Sequence, residues 1–165
     1  MLRVVVVSLG LVSVAAAQGP GGAVTRQDAV DAVQEASDLR GDWAEWISDL
    51  ADEIGGMPPG PDKDAMEDAL ADLVAEWAGA DIAAGAAIDD ALDLIAEGDA
   101  ATDPAVRDGK YSDAINRAGD AIADLDFLLG GPLTAFDDAA DAVGWSSIAS
   151  TVMFRSPPPV VGALS

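Results

Sequence analysis

The sequence predicts an all-α protein: an antiparallel up-down four-helix bundle with an N-terminal export signal and an extended C-terminal tail. Three observations lead to this prediction. Apolar residues recur every three or four positions in four segments, which is the period of one face of a helix. No segment alternates apolar and polar residues as a half-buried strand does. The connections between the segments are short, which favours antiparallel neighbours.

The first predicted helix follows Thr25 and runs to Ile54. Thr25 and Asp28 have the spacing of a capping box, with Asp in place of the usual Glu. The Gly- and Pro-rich stretch 55–61 ends the helix, because neither residue type continues it well. The apolar face expected to be buried consists of Val30, Val33, Ala36, Leu39, Trp43, Trp46, Leu50 and Ile54.

Three further helices are predicted. Asp62 is expected to cap the second, which ends at Glu97-Gly98, and its apolar face runs from Met66 to Ile95 and includes Leu92. Asp103-Pro104 supplies an N-cap followed by a proline at the first helical position, and the third helix runs from there to Leu129. Gly130-Gly131-Pro132 is expected to turn the chain into a shorter fourth helix outlined by Leu133, Phe136, Ala140, Val143 and Ile148.

Both ends of the chain differ from this helical region. Residues 1–17 read as a signal peptide, because an arginine precedes an apolar run and Ala15-Ala16-Ala17 offers a cleavage site. A retained hydrophobic anchor or an N-terminal strand is the alternative. Residues 18–24 form a Gly-rich linker, 25–154 the bundle and 155–165 a Pro-rich tail. We therefore expect a protein exported to the periplasm, the cell surface or the medium, with no stable membrane insertion after cleavage.

Charge limits the possible partners. The 165 residues contain 30 Asp and Glu but only eight Lys and Arg, which gives a net charge of −22. Such a field repels nucleic acids and anionic membranes, so neither is expected as a partner. It attracts cations and basic proteins. Hydrated carboxylates also suit concentrated salt, where their repulsion is screened; salt adaptation and simple solubility are equally good explanations of the composition.

The residue types present exclude most catalytic chemistry. Without His or Cys the chain cannot form the usual dyads and triads. We therefore predict no enzyme, with a carboxylate-dependent hydrolase as the weakest alternative. Oxygen ligands leave Ca²⁺ or Mg²⁺ possible, and no particular cofactor is indicated. Asp99, Asp103 and Asp108 are the candidate metal ligands, since they lie in and around one predicted loop.

The first predicted helix carries a second row, made of carboxylates, at steps of three and four. We call it the acidic row: Asp28, Asp31, Glu35, Asp38, Asp42, Glu45, Asp49 and Asp52. A solvated face explains such a row, and so does a binding surface for cations or a basic partner.

Four tryptophans are the candidate ligand-binding residues. Counted along the predicted helices, Trp43, Trp46, Trp77 and Trp145 fall at one depth in the bundle, and helical glycines fall at a similar depth. Simple packing explains such a layer, because indoles fill volume that alanines leave empty. A pocket for an apolar small molecule or pigment is the functional alternative.

These observations together predict an exported structural or interaction module that binds divalent cations or a basic partner protein. The alternative is a carrier of an apolar small molecule or pigment between its Trp and Gly residues. An oligomer is also compatible with the sequence, with the fourth helix docking on a neighbouring subunit.

Overall fold

The computed structural model of the chain describes residues 24–145, and this part is helical with no strand. The predicted signal peptide and Pro-rich tail, and residues 146–154 of the predicted bundle, lie outside the described residues. The helices are α1 (Arg26–Gly55), α2 (Pro61–Ala100), α3 (Pro104–Asp126) and α4 (Gly131–Val143), with a 3₁₀ turn at Phe127–Leu129 between the last two.

The predicted start of α1 is confirmed at the level of individual hydrogen bonds. The Thr25 hydroxyl accepts from the backbone N–H of Asp28, and the Asp28 carboxylate accepts from the backbone N–H of Thr25. The Asp103 carboxylate caps α3 by accepting from the N–H of Ala105 at 2.9 Å. The cap predicted for α2 is wrong: Gly60 is the N-cap and makes no side-chain bond, while Asp62 lies within the first turn.

The ion pairs between the long helices show their relative directions. Arg26 pairs with Asp99, and Arg40 with Asp81, so residue numbers fall along α2 as they rise along α1. The two helices are therefore antiparallel. Lys110 with Glu97 and Arg117 with Asp90 set the same relation between α3 and α2. These helices also all pack on one another, since α1 contacts both α2 and α3.

The expectation of an up-down four-helix bundle is not confirmed. At 1.5 Å per residue, α2 is about 60 Å long and α3 only about 35 Å, so α3 covers the C-terminal half of α2. Within residues 24–145, α4 packs on α2 and has at most marginal contact with α1 and α3. It lies near Ala69 and Asp72, in the N-terminal half of α2. The glycines at 130–131 therefore interrupt the helix without folding α4 back onto α3.

The core follows the predicted apolar faces. Trp43, Leu50, Ile54, Met66, Leu73, Leu125 and Leu128 are the largest fully buried side chains. One residue of the predicted α2 face is wrong: Leu92 is 49% exposed and Ala91 is buried in its place. Between residues 24 and 145, none of the helices combines the length and the apolar character that crossing a bilayer requires.

Candidate interaction surface

The acidic row lies on the solvent side of α1, where all eight carboxylate residues are exposed. It covers 24 helical steps, or about 36 Å. Three members accept hydrogen bonds from uncharged groups: Asp28 from Thr25, Asp31 from Gln27 and Asp38 from Gln34. The hydrogen bonds from Thr25 lower the pKa of Asp28, and the bond from its backbone N–H has a larger effect than the bond from its side chain. The row therefore presents its negative charge to solvent.

The Lys and Arg side chains of the described residues form their ion pairs away from the acidic row. Each of the six Lys and Arg residues between 24 and 145 pairs with a carboxylate outside the acidic row. No member of the row takes part in an ion pair in this part of the chain. Four of these cations pair between helices, and Lys63 and Arg107 pair within their own helices, so the row is a surface of one sign.

The Arg40–Asp81 pair between α1 and α2 is the least exposed of these ion pairs. The Arg40 guanidinium donates two hydrogen bonds to Asp81, one of them 2.9 Å long from Nη2 to Oδ2. The Asp81 side chain is 23% exposed and that of Arg40 is 40% exposed. The hydrogen bond from Arg40 lowers the pKa of Asp81 despite partial burial. The pair therefore holds Asp81 ionised at the helix seam.

A second network joins three helices at the C-terminal end of α2. Arg26 Nε donates to Asp99 at 2.9 Å, and the Tyr111 hydroxyl donates to the same carboxylate at 2.8 Å. These hydrogen bonds lower the pKa of Asp99, and the bond from Arg26 has the larger effect. The Asp99 carboxylate therefore links α1, α2 and α3.

The three candidate metal ligands are not brought together. Asp99 belongs to the network with Arg26 and Tyr111, Asp103 caps α3, and Asp108 lies 3.7 Å from the guanidinium of Arg107. Within residues 24–145, no group of three or more acidic side chains is arranged to hold a metal ion. Calcium binding at this loop is left with no geometric support.

The tryptophans are brought together only in part. Trp43 and Trp46 are buried and meet edge to face with ring centroids 5.4 Å apart. Trp77 lies one turn from Asp81, the partner of Arg40, and therefore at the level of Trp43. Trp145 instead meets the ring of Phe136, with centroids 6.1 Å apart. The layer thus contains three indoles, and the fourth lies beside α4.

Two indole donors in this layer have no acceptor. The Nε1 atoms of Trp46 and Trp77 are buried without a hydrogen-bond partner among the described residues. The glycines expected beside the indoles do not enclose a cavity, since added Cβ atoms at Gly41 and Gly79 would meet nothing within 4 Å. Both glycines are exposed. The layer is therefore packed by large side chains, with two unmatched N–H groups.

A groove that the sequence did not indicate lies between α2 and α4, and we call it the α2–α4 groove. Its volume is about 640 Å³, and four alanines, Pro132, Phe127, Phe136, Asp72 and Glu76 line it. Phe136 is buried, whereas the Phe127 side chain is 64% exposed. No motif in the sequence indicates this groove, because it forms only when α4 packs along α2 and not on α3.

Comparison of the chain with protein-family models, curated protein sequences and solved structures found no match. The function is therefore inferred from the surfaces described above.

Proposed function

We propose that this protein is a non-enzymatic, exported interaction module whose acidic row binds a basic partner protein. The observation that carries the proposal is the uncompensated charge of that row: eight exposed carboxylates on one helix with no ion pair among the described residues. Export is proposed from the signal-like residues 1–17 and salt adaptation from the net charge of −22.

The geometry favours an extended cationic surface over a single metal ion. A divalent ion needs several oxygens converging on one point, and within residues 24–145 no such group is present. The carboxylates of the row instead follow one another at three or four residues, or about 4.5–6 Å along the axis. A basic surface with charges at similar spacing can meet several of them at once, which speeds association and gives it a strong dependence on salt.

The test compares two variants of equal net charge. In the row variant, Glu35→Gln, Asp42→Asn, Glu45→Gln and Asp49→Asn remove four charges from α1. In the control variant, Asp89→Asn, Asp93→Asn, Asp113→Asn and Asp124→Asn remove four charges from exposed positions on α2 and α3. Binding of fluorescent oligolysine is measured by anisotropy at several NaCl concentrations.

The row variant should bind oligolysine at least about ten-fold more weakly than the control variant, and with a shallower dependence on salt. Equal affinities of the two variants would show that net charge alone attracts the peptide, and the acidic row would lose its role. Circular dichroism checks that both variants keep the helical fold.

One observation favours a second candidate, the carrier of an apolar small molecule. The unpartnered indole N–H groups of Trp46 and Trp77 could donate to a carbonyl oxygen of a ligand inserted between α1 and α2. A carbonyl-bearing apolar dye should then quench tryptophan fluorescence, and Trp77→Phe should weaken its binding. Fluorescence that is unchanged at every dye concentration would leave the tryptophan layer as packing alone.

A further inference from the structure

We propose that the α2–α4 groove receives the apolar face of a cationic amphipathic helix, and so supplies the apolar half of the partner recognition proposed above. This inference rests on the proposed function, because it takes the partner to be basic. It adds a second surface, on the side of α2 that carries α4, and a requirement for apolar side chains that simple charge attraction does not have.

The floor of the groove is apolar and incompletely covered. Phe127 is 64% exposed at the 3₁₀ turn, and Ala75 and Ala135 on the two walls are exposed as well. Small alanine side chains leave a channel between the helices, and Phe136 lies buried beneath it. A volume of about 640 Å³ can accommodate several apolar side chains of a partner. Exposed aromatic surface in a groove is typical of a binding site.

The rim of the groove selects for positive charge. Asp72 and Glu76 line it from α2, and Asp68 stands one turn before them at the same spacing of four. All three are exposed, and none is in an ion pair within the described chain. A helix that lays apolar residues along the channel would bring lysines on its flanks to this column of carboxylates. Charge complementarity therefore favours a cationic amphipathic occupant over an uncharged one.

The experiment uses two peptides of about 14 residues made only of leucine and lysine. The amphipathic peptide places its leucines on one helical face, and the scrambled peptide has the same composition without such a face. Oligolysine serves as the third probe, since it carries positive charge without leucine side chains that could enter the groove. Binding of each labelled peptide to the full-length chain is measured by anisotropy.

Two variants probe the groove from opposite directions. Phe127→Ala removes exposed aromatic surface, and Ala135→Trp fills the channel without removing a core side chain. Ile82→Ala is the matched control, because Ile82 is on α2 and 72% exposed but does not line the groove. We expect the amphipathic peptide to bind at least about ten-fold more tightly than the scrambled one, and both groove variants to abolish that advantage. Ile82→Ala should preserve it.

Several results would overturn the inference. These are equal binding of the two leucine-lysine peptides, or equal effects of Phe127→Ala and Ile82→Ala. An uncharged dye that binds in a Phe127-dependent way while the amphipathic peptide does not would assign the groove to a small molecule. Dimerisation lost on Phe127→Ala, without peptide binding, would assign it to a second copy of the chain. Loss of oligolysine binding in the row variant alone tests the acidic row, so the two proposals can fail separately.

Discussion

The ring of Tyr111 on α3 lies where a side chain on Gly98 of α2 would have to go. A Cβ built on Gly98 would be 2.6 Å from Tyr111 Cε1 and 2.9 Å from Cδ1. These distances are too short for any real contact, so the absence of a side chain at residue 98 allows the two helices to approach. The same approach places the Tyr111 hydroxyl on Asp99 and closes the network with Arg26.

Gly98→Ala should therefore destabilise the protein by about 1–3 kcal/mol, the usual cost of overpacking. The ring of Tyr111 would have to move, and its bond to Asp99 would be strained. Gly79→Ala is the control, because a Cβ there meets nothing within 4 Å. It should stabilise the protein by roughly 0.5–1 kcal/mol through helix propensity. Urea unfolding measures both, and two stabilising substitutions would contradict the observed packing.

The acidic row should make folding stability depend on salt. Its eight carboxylates form seven consecutive like-charge pairs, each of which costs about 0.2–0.5 kcal/mol at low ionic strength, and salt screens that repulsion. The melting temperature of the protein should rise as NaCl is added. The row variant defined above should melt higher than the parent chain in low salt and respond less to NaCl. A melting temperature that salt does not change would show that the repulsion is negligible.

The Arg40–Asp81 pair should contribute stability at neutral pH that disappears in acid. The pKa of Asp81 is lowered in the fold, chiefly by the hydrogen bond from Arg40. The contribution is therefore complete above the unfolded pKa of about 3.9 and is lost as pH falls through the lower folded value. A double-mutant cycle with Arg40→Met and Asp81→Asn should give a coupling of about 0.5–1 kcal/mol, modest because both side chains are partly solvated.

The exposed pair Arg117–Asp90 is the control for that cycle. Its closest nitrogen–oxygen distance is 3.8 Å, and its side chains are 51% and 60% exposed. The cycle with Arg117→Met and Asp90→Asn should show no measurable coupling. Coupling for this pair equal to that of Arg40 and Asp81 would mean that burial at the helix seam makes no difference.

Asp137 on α4 should change stability with pH in the opposite direction to Asp81. Partial burial, then the neighbouring Asp141 and Asp138, raise the pKa of Asp137 in the fold. The folded protein holds its proton longer than the unfolded chain does. Its contribution to stability is thus greatest below the ordinary pKa of about 3.9 and is lost as pH rises through the raised value. Asp137→Asn should stabilise the protein at pH 7 by a few tenths of a kcal/mol, a small effect because the site is partly solvated.

The measurement for Asp137 is thermal unfolding between pH 3 and pH 7, with the exposed Asp124→Asn as control. As pH rises over this range, the stability of the Asp137→Asn variant should fall less than that of the parent chain. The stability of the control should follow the parent more closely. Identical pH profiles for the two variants would contradict the asymmetry.

The helices, most of their buried faces and the acidic row could be predicted from the order of the residues alone. Capping side chains at Thr25 and Asp103 and the three- and four-residue spacing act within one helix, so they can be read without knowing the neighbours. The relative positions of the helices could not be predicted in this way: α4 packs along α2, Trp145 meets Phe136, and Asp99 bonds to Arg26 and Tyr111. These relations depend on how the chain continues after Gly130-Gly131-Pro132 and on how closely α3 can approach Gly98. Both are set by contacts between residues far apart in the sequence, which local spacing does not encode.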